Sequence, residues 1–253
     1  MHNFLALFFL GLIQGLTEFL PVSSSGHLVF FSKLFGVGEN LFVSILLHVA
    51  TLLSILVVFY KDIWHMIRHP FSAQTIRIVV ATIPTCIIVL ILMPVIKMSF
   101  SGMFLPICFV LSAIFLFISE KLASKKVAKS MNNKTAFWMG VAQGFAVFPG
   151  VSRSGTTISA GLLCGREKEE IAKFSFLMSV PIVFLSLLLE VYEIISGEAA
   201  VAVDILPLIV SFITAFITGI FAIKFMIKLT QKANLKYFSA YLVFISIVSF
   251  LII

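Results

Sequence analysis

Charge is what this chain has least of. Asp, Glu, Lys and Arg make up 11% of its 253 residues, while 60% are hydrophobic. With a mean hydropathy of +1.15, that excludes a soluble domain, and apolar runs approaching the roughly 20 residues needed to cross a bilayer recur along the chain. Cysteine is equally scarce. Cys86, Cys108 and Cys164 are odd in number, lie in apolar stretches and have no ligand spacing, so they read as reduced packing residues. No Lys or Arg precedes the first apolar run, no small-residue cleavage site follows it, and Gln14 and Glu18 interrupt it, so no cleaved signal peptide is expected. The net charge of +7 belongs to the loops of a membrane protein and is not a nucleic-acid footprint.

What the chain does have is an internal repeat. Gly11–His27, GLIQGLTEFLPVSSSGH, overlays Gly140–Thr156, GVAQGFAVFPGVSRSGT, without a gap. The two agree at Gly11/Gly140, Gln14/Gln143, Gly15/Gly144, Phe19/Phe148, Val22/Val151, Ser23/Ser152, Ser25/Ser154 and Gly26/Gly155. Each copy passes from an apolar segment through a Pro/Gly break and a Ser-rich turn into a second apolar segment. Such similarity at half-chain spacing predicts an all-α polytopic membrane protein built as an inverted-topology repeat, with its site at the paired breaks. The expected organisation is one membrane domain over 1–253, with repeat 1 at about 1–120, a basic loop at 121–135 and repeat 2 at about 136–253.

In chain order, Phe4–Leu20 stops at Pro21, Val22–His27 is a polar turn, and Leu28–Phe35 is short and apolar. This is a re-entrant pair, tolerated at membrane depth only where it lines a protein-buried or watered cavity. Full spans are expected at Leu41–Tyr60, Ile78–Ile96 and Met103–Ser119. The second half repeats the plan: Ala136–Phe148 and Gly155–Gly165 flank the second turn, and spans follow at Phe174–Ile195, Ile205–Ile223 and Tyr237–Ile253. Lys and Arg concentrate in 61–77, 121–134 and 224–236, whereas Ser196–Asp204 has none. Placing the basic segments in the cytoplasm makes the first re-entrant pair enter from outside and the second from inside. Three full spans per half is an odd number, so the second half is inverted.

Two helices that start in mid-membrane at Ser-rich turns present unpaired N–H groups and positive dipole ends, a site for phosphate. Ser23, Ser24, Ser25 and Gly26 lead into one helix; Ser152, Arg153, Ser154, Gly155 and Thr156 lead into the other. Any one serine is explained by capping or interhelical bonding. Arg153 is different: a cation between apolar segments is costly unless it serves a site, and its planar fork suits phosphate. Gln14 and Glu18, four residues apart, share a helix face and are candidate oxygen ligands for a hard divalent ion (Mg²⁺ or Ca²⁺) bridging to substrate phosphates. Gln143, which matches Gln14 in the second copy, is a candidate substrate-binding residue. The alternative is that Glu18 simply pairs with Arg153. His27, three residues after Ser24, is a candidate base for an attacking hydroxyl or water. His48 either reaches the site or bridges helices.

QGLTEFLPVSSSGH and PGVSRSGTT, with LHVATLLSILVVFYKDI between them, resemble the signature segments of the undecaprenyl-pyrophosphate phosphatase family of the bacitracin-resistance type, over essentially the whole chain. The resemblance implies a multi-pass enzyme of the bacterial inner membrane, its active site facing the exterior. It implies removal of one phosphate from undecaprenyl pyrophosphate, so that the lipid carrier re-enters cell-wall synthesis, and a divalent cation. Position by position it implies that Glu18 is the family's second acidic residue, Ser24 its nucleophile or phosphate-binding serine, His27 its base and Arg153 its pyrophosphate-binding arginine. Gln14 stands where many members carry the first Glu, a departure for any two-carboxylate mechanism. The competing class is a lipid flippase or transporter using the same inverted-repeat site, disfavoured by His27 beside Ser24. Small and polar faces on the spans leave room for a homodimer.

Overall fold

The computed structural model describes residues 2–37, 41–99, 102–123, 129–196, 204–232 and 235–252. Among them eleven helices account for nearly all the regular structure: α1 (His2–Thr17), α2 (Ser24–Phe35), α3 (Leu41–Val58), α4 (Tyr60–Arg68), α5 (Ala73–Ser99), α6 (Leu105–Ala123), α7 (Asn133–Phe145), α8 (Arg153–Leu163), α9 (Lys168–Ile195), α10 (Ile205–Lys232) and α11 (Lys236–Ile252). Four carry stretches long and apolar enough to cross a membrane: Ala73–Ile96, Leu105–Ala123, Lys168–Leu189 and Ile205–Thr230. A fifth span arises if Phe42–Val58 and Tyr60–Arg68, bent by 79°, count as one. The protein is an integral membrane protein. At 1.5 Å per residue α2, α7 and α8 are each about 16–20 Å long, well short of a roughly 30 Å hydrocarbon core.

Helix limits differ from the expected spans where a charged residue bounds the apolar run. Residues 61–68 of the expected basic loop lie in helix α4, α9 begins inside the mixed-charge segment 166–173, and α10 continues through Lys224 and Lys228 to Lys232. Lys, Arg and Glu are good helix formers. Charge therefore marks where the hydrocarbon ends, and the helix runs on past it. The turn after Pro21 is likewise shorter than expected, because α2 starts at Ser24. Lys125 and Lys126 of the central loop and 197–203 of the acidic connection lie outside the described residues.

The first helix of each broken pair is held by the opposite half of the chain. α1 packs along α10, and α7 along α5. Gly11 and Gly140, equivalent in the repeat, make these contacts: a Cβ on Gly11 would meet the Ser211 backbone, and one on Gly140 the Ala81 backbone. Between apolar helices in lipid, close backbone approach of this kind replaces the hydrophobic drive available in water. Thr85 strengthens the second contact by donating from its hydroxyl to the Gly140 carbonyl (2.8 Å). Phe19, 1% exposed, locks the end of the first break, edge-on to Phe176 of α9 at 5.6 Å.

Candidate active site

Past α1 the chain makes one more helical bond, from Glu18 N to the Gln14 carbonyl (3.0 Å), and Val22 N then bonds back to Leu20 (2.7 Å). Pro21, which has no N–H to give, lies in this break. Ser23 follows at φ 69°, the only non-glycine positive φ among the described residues, and restarts the chain as the N-cap of α2. Its hydroxyl accepts from Gly26 N at 3.4 Å. In the second turn Ser152 takes the same place at an ordinary φ of −74°, accepting from Gly155 N at 3.1 Å. Ser112 of α6 steadies this turn, donating to the Gly150 carbonyl and accepting from Ser152 N.

The two turns touch. Ser154 donates its hydroxyl to the Leu20 carbonyl (2.9 Å), and a Cβ on Gly26 would stand 2.8 Å from Gly150 Cα. Their contact converges on one carboxylate. Glu18, 7% exposed, accepts from Arg153 Nη2 at Oε1. At Oε2 it accepts from the Ser24 hydroxyl and from Gln14 Nε2 (3.0 Å). Gln14 also lies 3.5 Å from the Thr51 hydroxyl of α3, and its Oε1 is buried with no hydrogen-bond partner. The Arg153 side chain keeps 22% exposure against 4% for Glu18, so the cation is the open side of the pair. The simple Glu18–Arg153 pairing weighed from the sequence is thus present, with Ser24 and Gln14 added to it.

His27 is placed apart from the Ser24 hydroxyl. It is 1% exposed and does not hold the Ser24 hydroxyl; both its ring nitrogens are engaged elsewhere. Nδ1 lies 2.7 Å from the Ser23 carbonyl and Nε2 2.7 Å from the Tyr241 hydroxyl of α11. A carbonyl can only accept, so Nδ1 carries the proton and Nε2 of the neutral ring accepts from Tyr241. The ring stacks on Tyr241 with an interplanar angle of 10° and meets Phe109 edge-on. These rings and the carbonyl one helical turn back hold the imidazole, and Glu18 occupies the place beside Ser24.

The structure therefore brings together Gln14, Glu18, Ser24 and Arg153, with Ser23 and Ser152 as the caps beneath them and Gly155 N donating to the Ser152 hydroxyl. Ser25 is partly exposed on the same turn, while Thr156 is buried in α8, its N–H on the Ser152 carbonyl (2.8 Å). Gln143 donates instead to Thr85 (3.4 Å). His48 spends Nδ1 on the Ser44 carbonyl (2.8 Å) and sits one turn before Thr51. Thr51, Ser112 and Tyr241 were not picked out by sequence reasoning. A lone tyrosine hydroxyl deep in the apolar last helix was the available signal for Tyr241.

Among the described residues no three of His, Cys, Asp and Glu cluster to hold a metal ion. The donors fit a hard divalent cation in one way only. The orphaned Gln14 Oε1 and the Glu18 carboxylate offer hard oxygens, and substrate phosphates must supply the remaining ligands.

A family model described as "Bacitracin resistance protein BacA" matches residues 7–248. The chain belongs to the bacitracin resistance protein BacA family. Its relatives in this family include proteins named undecaprenyl-diphosphatase from Carboxydothermus hydrogenoformans, 41% identical over 95% of this chain and 94% of the relative, and from Parabacteroides distasonis, 42% identical over 92% and 91%. A Bacteroides fragilis protein of that name is 41% identical over 96% of both chains. The BacA match takes in both turns and every residue bonded to Glu18.

Proposed function

We propose that the chain is an undecaprenyl-diphosphatase of the bacterial cytoplasmic membrane, releasing inorganic phosphate from the C55 isoprenyl diphosphate and returning the monophosphate carrier to cell-wall synthesis. Bacitracin resistance follows from that activity. One observation carries the reading: two turns half a chain apart place a guanidinium, a hydroxyl and an amide on a single buried carboxylate, in a chain whose relatives bear that name.

Arg153 keeps one N–H on Glu18 and turns its remaining donors to the diphosphate oxygens, while the α2 and α8 N-termini add positive dipole ends. Glu18 Oε2 accepts the Ser24 proton as Ser24 Oγ attacks the terminal phosphorus. The bond from that phosphorus to the bridging oxygen breaks, and isoprenyl phosphate leaves. Water then hydrolyses the phosphoseryl group, releasing phosphate and restoring the hydroxyl. His27 is a positioning residue in this scheme, bracing the Ser23 carbonyl and so the angle at which Ser24 is presented. Gln14 and Glu18 would hold a divalent ion together with the substrate, and that ion would supply charge neutralisation at the phosphate oxygens.

The site faces the periplasm in this account, on the strength of the basic segments 61–77, 121–134 and 224–236 on the opposite side. The inverted repeat is supported by the exchange of short helices between halves, α1 on α10 and α7 on α5. With the small-residue faces at Gly11 and Gly140 used inside one chain, they are not free to join a second copy.

The test is purified protein given C55 diphosphate labelled at the terminal phosphate. Release should stop on chelation and return with Mg²⁺ or Ca²⁺, and acid quenching should trap label on the wild-type protein but not on Ser24→Ala. Chelator-resistant release would remove the cation. Label absent from wild type would replace Ser24 by a water molecule as the attacking group.

A further inference from the structure

Helix α4 lies outside the site, and the core covers only one of its faces. It leaves α3 at 79° after a break of one residue; with α3 along the bilayer normal, it lies close to the membrane plane. None of its nine residues is buried. At 100° per residue its sequence YKDIWHMIR divides into three faces. Asp62, Ile63 and Met66 form the inner one: Ile63 and Met66 pack on the main buried cluster, and Asp62 is tied to Lys173 of α9 at 2.7 Å. Tyr60, Trp64 and Ile67 form the second, exposed at 60%, 54% and 66%. Lys61, His65 and Arg68 form the third, alongside it, with the Arg68 guanidinium over the Trp64 ring at 4.7 Å.

An amphipathic helix with aromatic residues beside cations is built to lie at the hydrocarbon boundary. The helix's one carboxylate is taken up by Lys173 of the same chain, so the charge it presents outward is basic. That matches the anionic headgroups of a leaflet surface, which attract each nearby Lys or Arg.

We propose that α4 is an interfacial helix that binds anionic phospholipids of its leaflet, with Tyr60, Trp64 and Ile67 in the acyl boundary and Lys61 and Arg68 on headgroup phosphates. The site is separate from the Glu18 cluster and does not depend on the proposed phosphatase activity.

The chain has two tryptophans, Trp64 and Trp138, so Trp138→Phe leaves Trp64 as the only reporter. In nanodiscs that are mostly phosphatidylcholine, Trp64 fluorescence is quenched with an equal fraction of brominated phosphatidylglycerol or brominated phosphatidylcholine. The proposal expects quenching by both lipids, about twofold stronger for the anionic one. That preference should shrink in Lys61→Gln and again in Arg68→Gln. Using the ratio between lipids cancels any change in Trp64 emission caused by losing Arg68. Equal quenching by the two lipids would overturn the headgroup site, absent quenching would overturn the interfacial placement, and a preference unchanged in both variants would overturn the role of the cations. Inorganic phosphate in the buffer should leave the ratio unchanged; its loss there would mean that a soluble anion is the ligand.

Discussion

The two turns share a backbone plan and divide the chemistry. Each has a glycine pair pressing its short helix into the other half, a glutamine four residues before the break position, and a serine capping the second helix. Where the first turn carries Glu18, Ser24 and His27, the second carries Val147, Arg153 and Thr156. The carboxylate and hydroxyl are thus supplied by one copy and the guanidinium by the other. The proposed phosphate-transfer chemistry therefore needs both turns. The sequence repeat keeps its packing residues in both copies and the residues of the proposed chemistry in one copy each.

The largest effect should come from the carboxylate at the centre. Glu18→Gln keeps the shape but removes the base that takes the Ser24 proton and the charge that pairs with Arg153, leaving one carbonyl oxygen where two carboxylate oxygens accept. Phosphate release is expected to fall by about 10³-fold, read as kcat at saturating lipid. Val147→Gln, the same side chain in the equivalent place, should fall far less, which tests whether the copies are chemically distinct.

The glutamines offer a sharper version. In Gln14→Glu the new carboxylate lies against Glu18, where the two like charges favour a divalent ion between them, so activity should survive with a lower requirement for the divalent ion. In Gln143→Glu the new charge is buried beside Thr85 without a cation bonded to its place. The expected cost is about 3 kcal/mol, seen as a loss of thermal stability in detergent. Equal behaviour of the two variants would break the comparison.

Much of this arrangement was legible because the repeat places polar residues and helix breakers inside apolar segments, where they are costly without a use. Glu18, Ser24 and Arg153 were visible on that ground. The partner of Ser24 was not, because a spacing of three residues suggests His27 equally well. Only the Ser23 carbonyl and Tyr241, 214 residues away, decide which way the imidazole turns. Helix ends differ from the apolar limits for a related reason. Hydropathy reports the solvent around a segment, whereas helix propensity reports the backbone, and the two part company at α4 and at the end of α10.

Smaller effects separate the turns mechanically. Gly26→Ala puts a methyl 2.8 Å from Gly150 Cα, where the turns meet. It is expected to cost about 1–3 kcal/mol of stability, with a matching loss of kcat because Ser24 moves with it. At the caps, Ser152→Gly should cost a few tenths of a kcal/mol at most, about what exchanging serine for glycine at an N-cap costs. Ser23→Gly should be neutral or slightly stabilising, since Ser23 already sits at φ 69°, a conformation glycine adopts without strain. Thermal melts of the two variants side by side check the sign.

The most direct measurement is a double-mutant cycle across the turns: kcat/KM for phosphate release by wild type, Ser24→Ala, Arg153→Ala and the double variant, each checked for folding by its melt. If both turns build one site around Glu18, the double variant should be little worse than the poorer single variant, as for residues that act as a unit. Losses that simply multiply, or an Arg153→Ala variant with near wild-type kcat/KM, would contradict a single site shared between the halves.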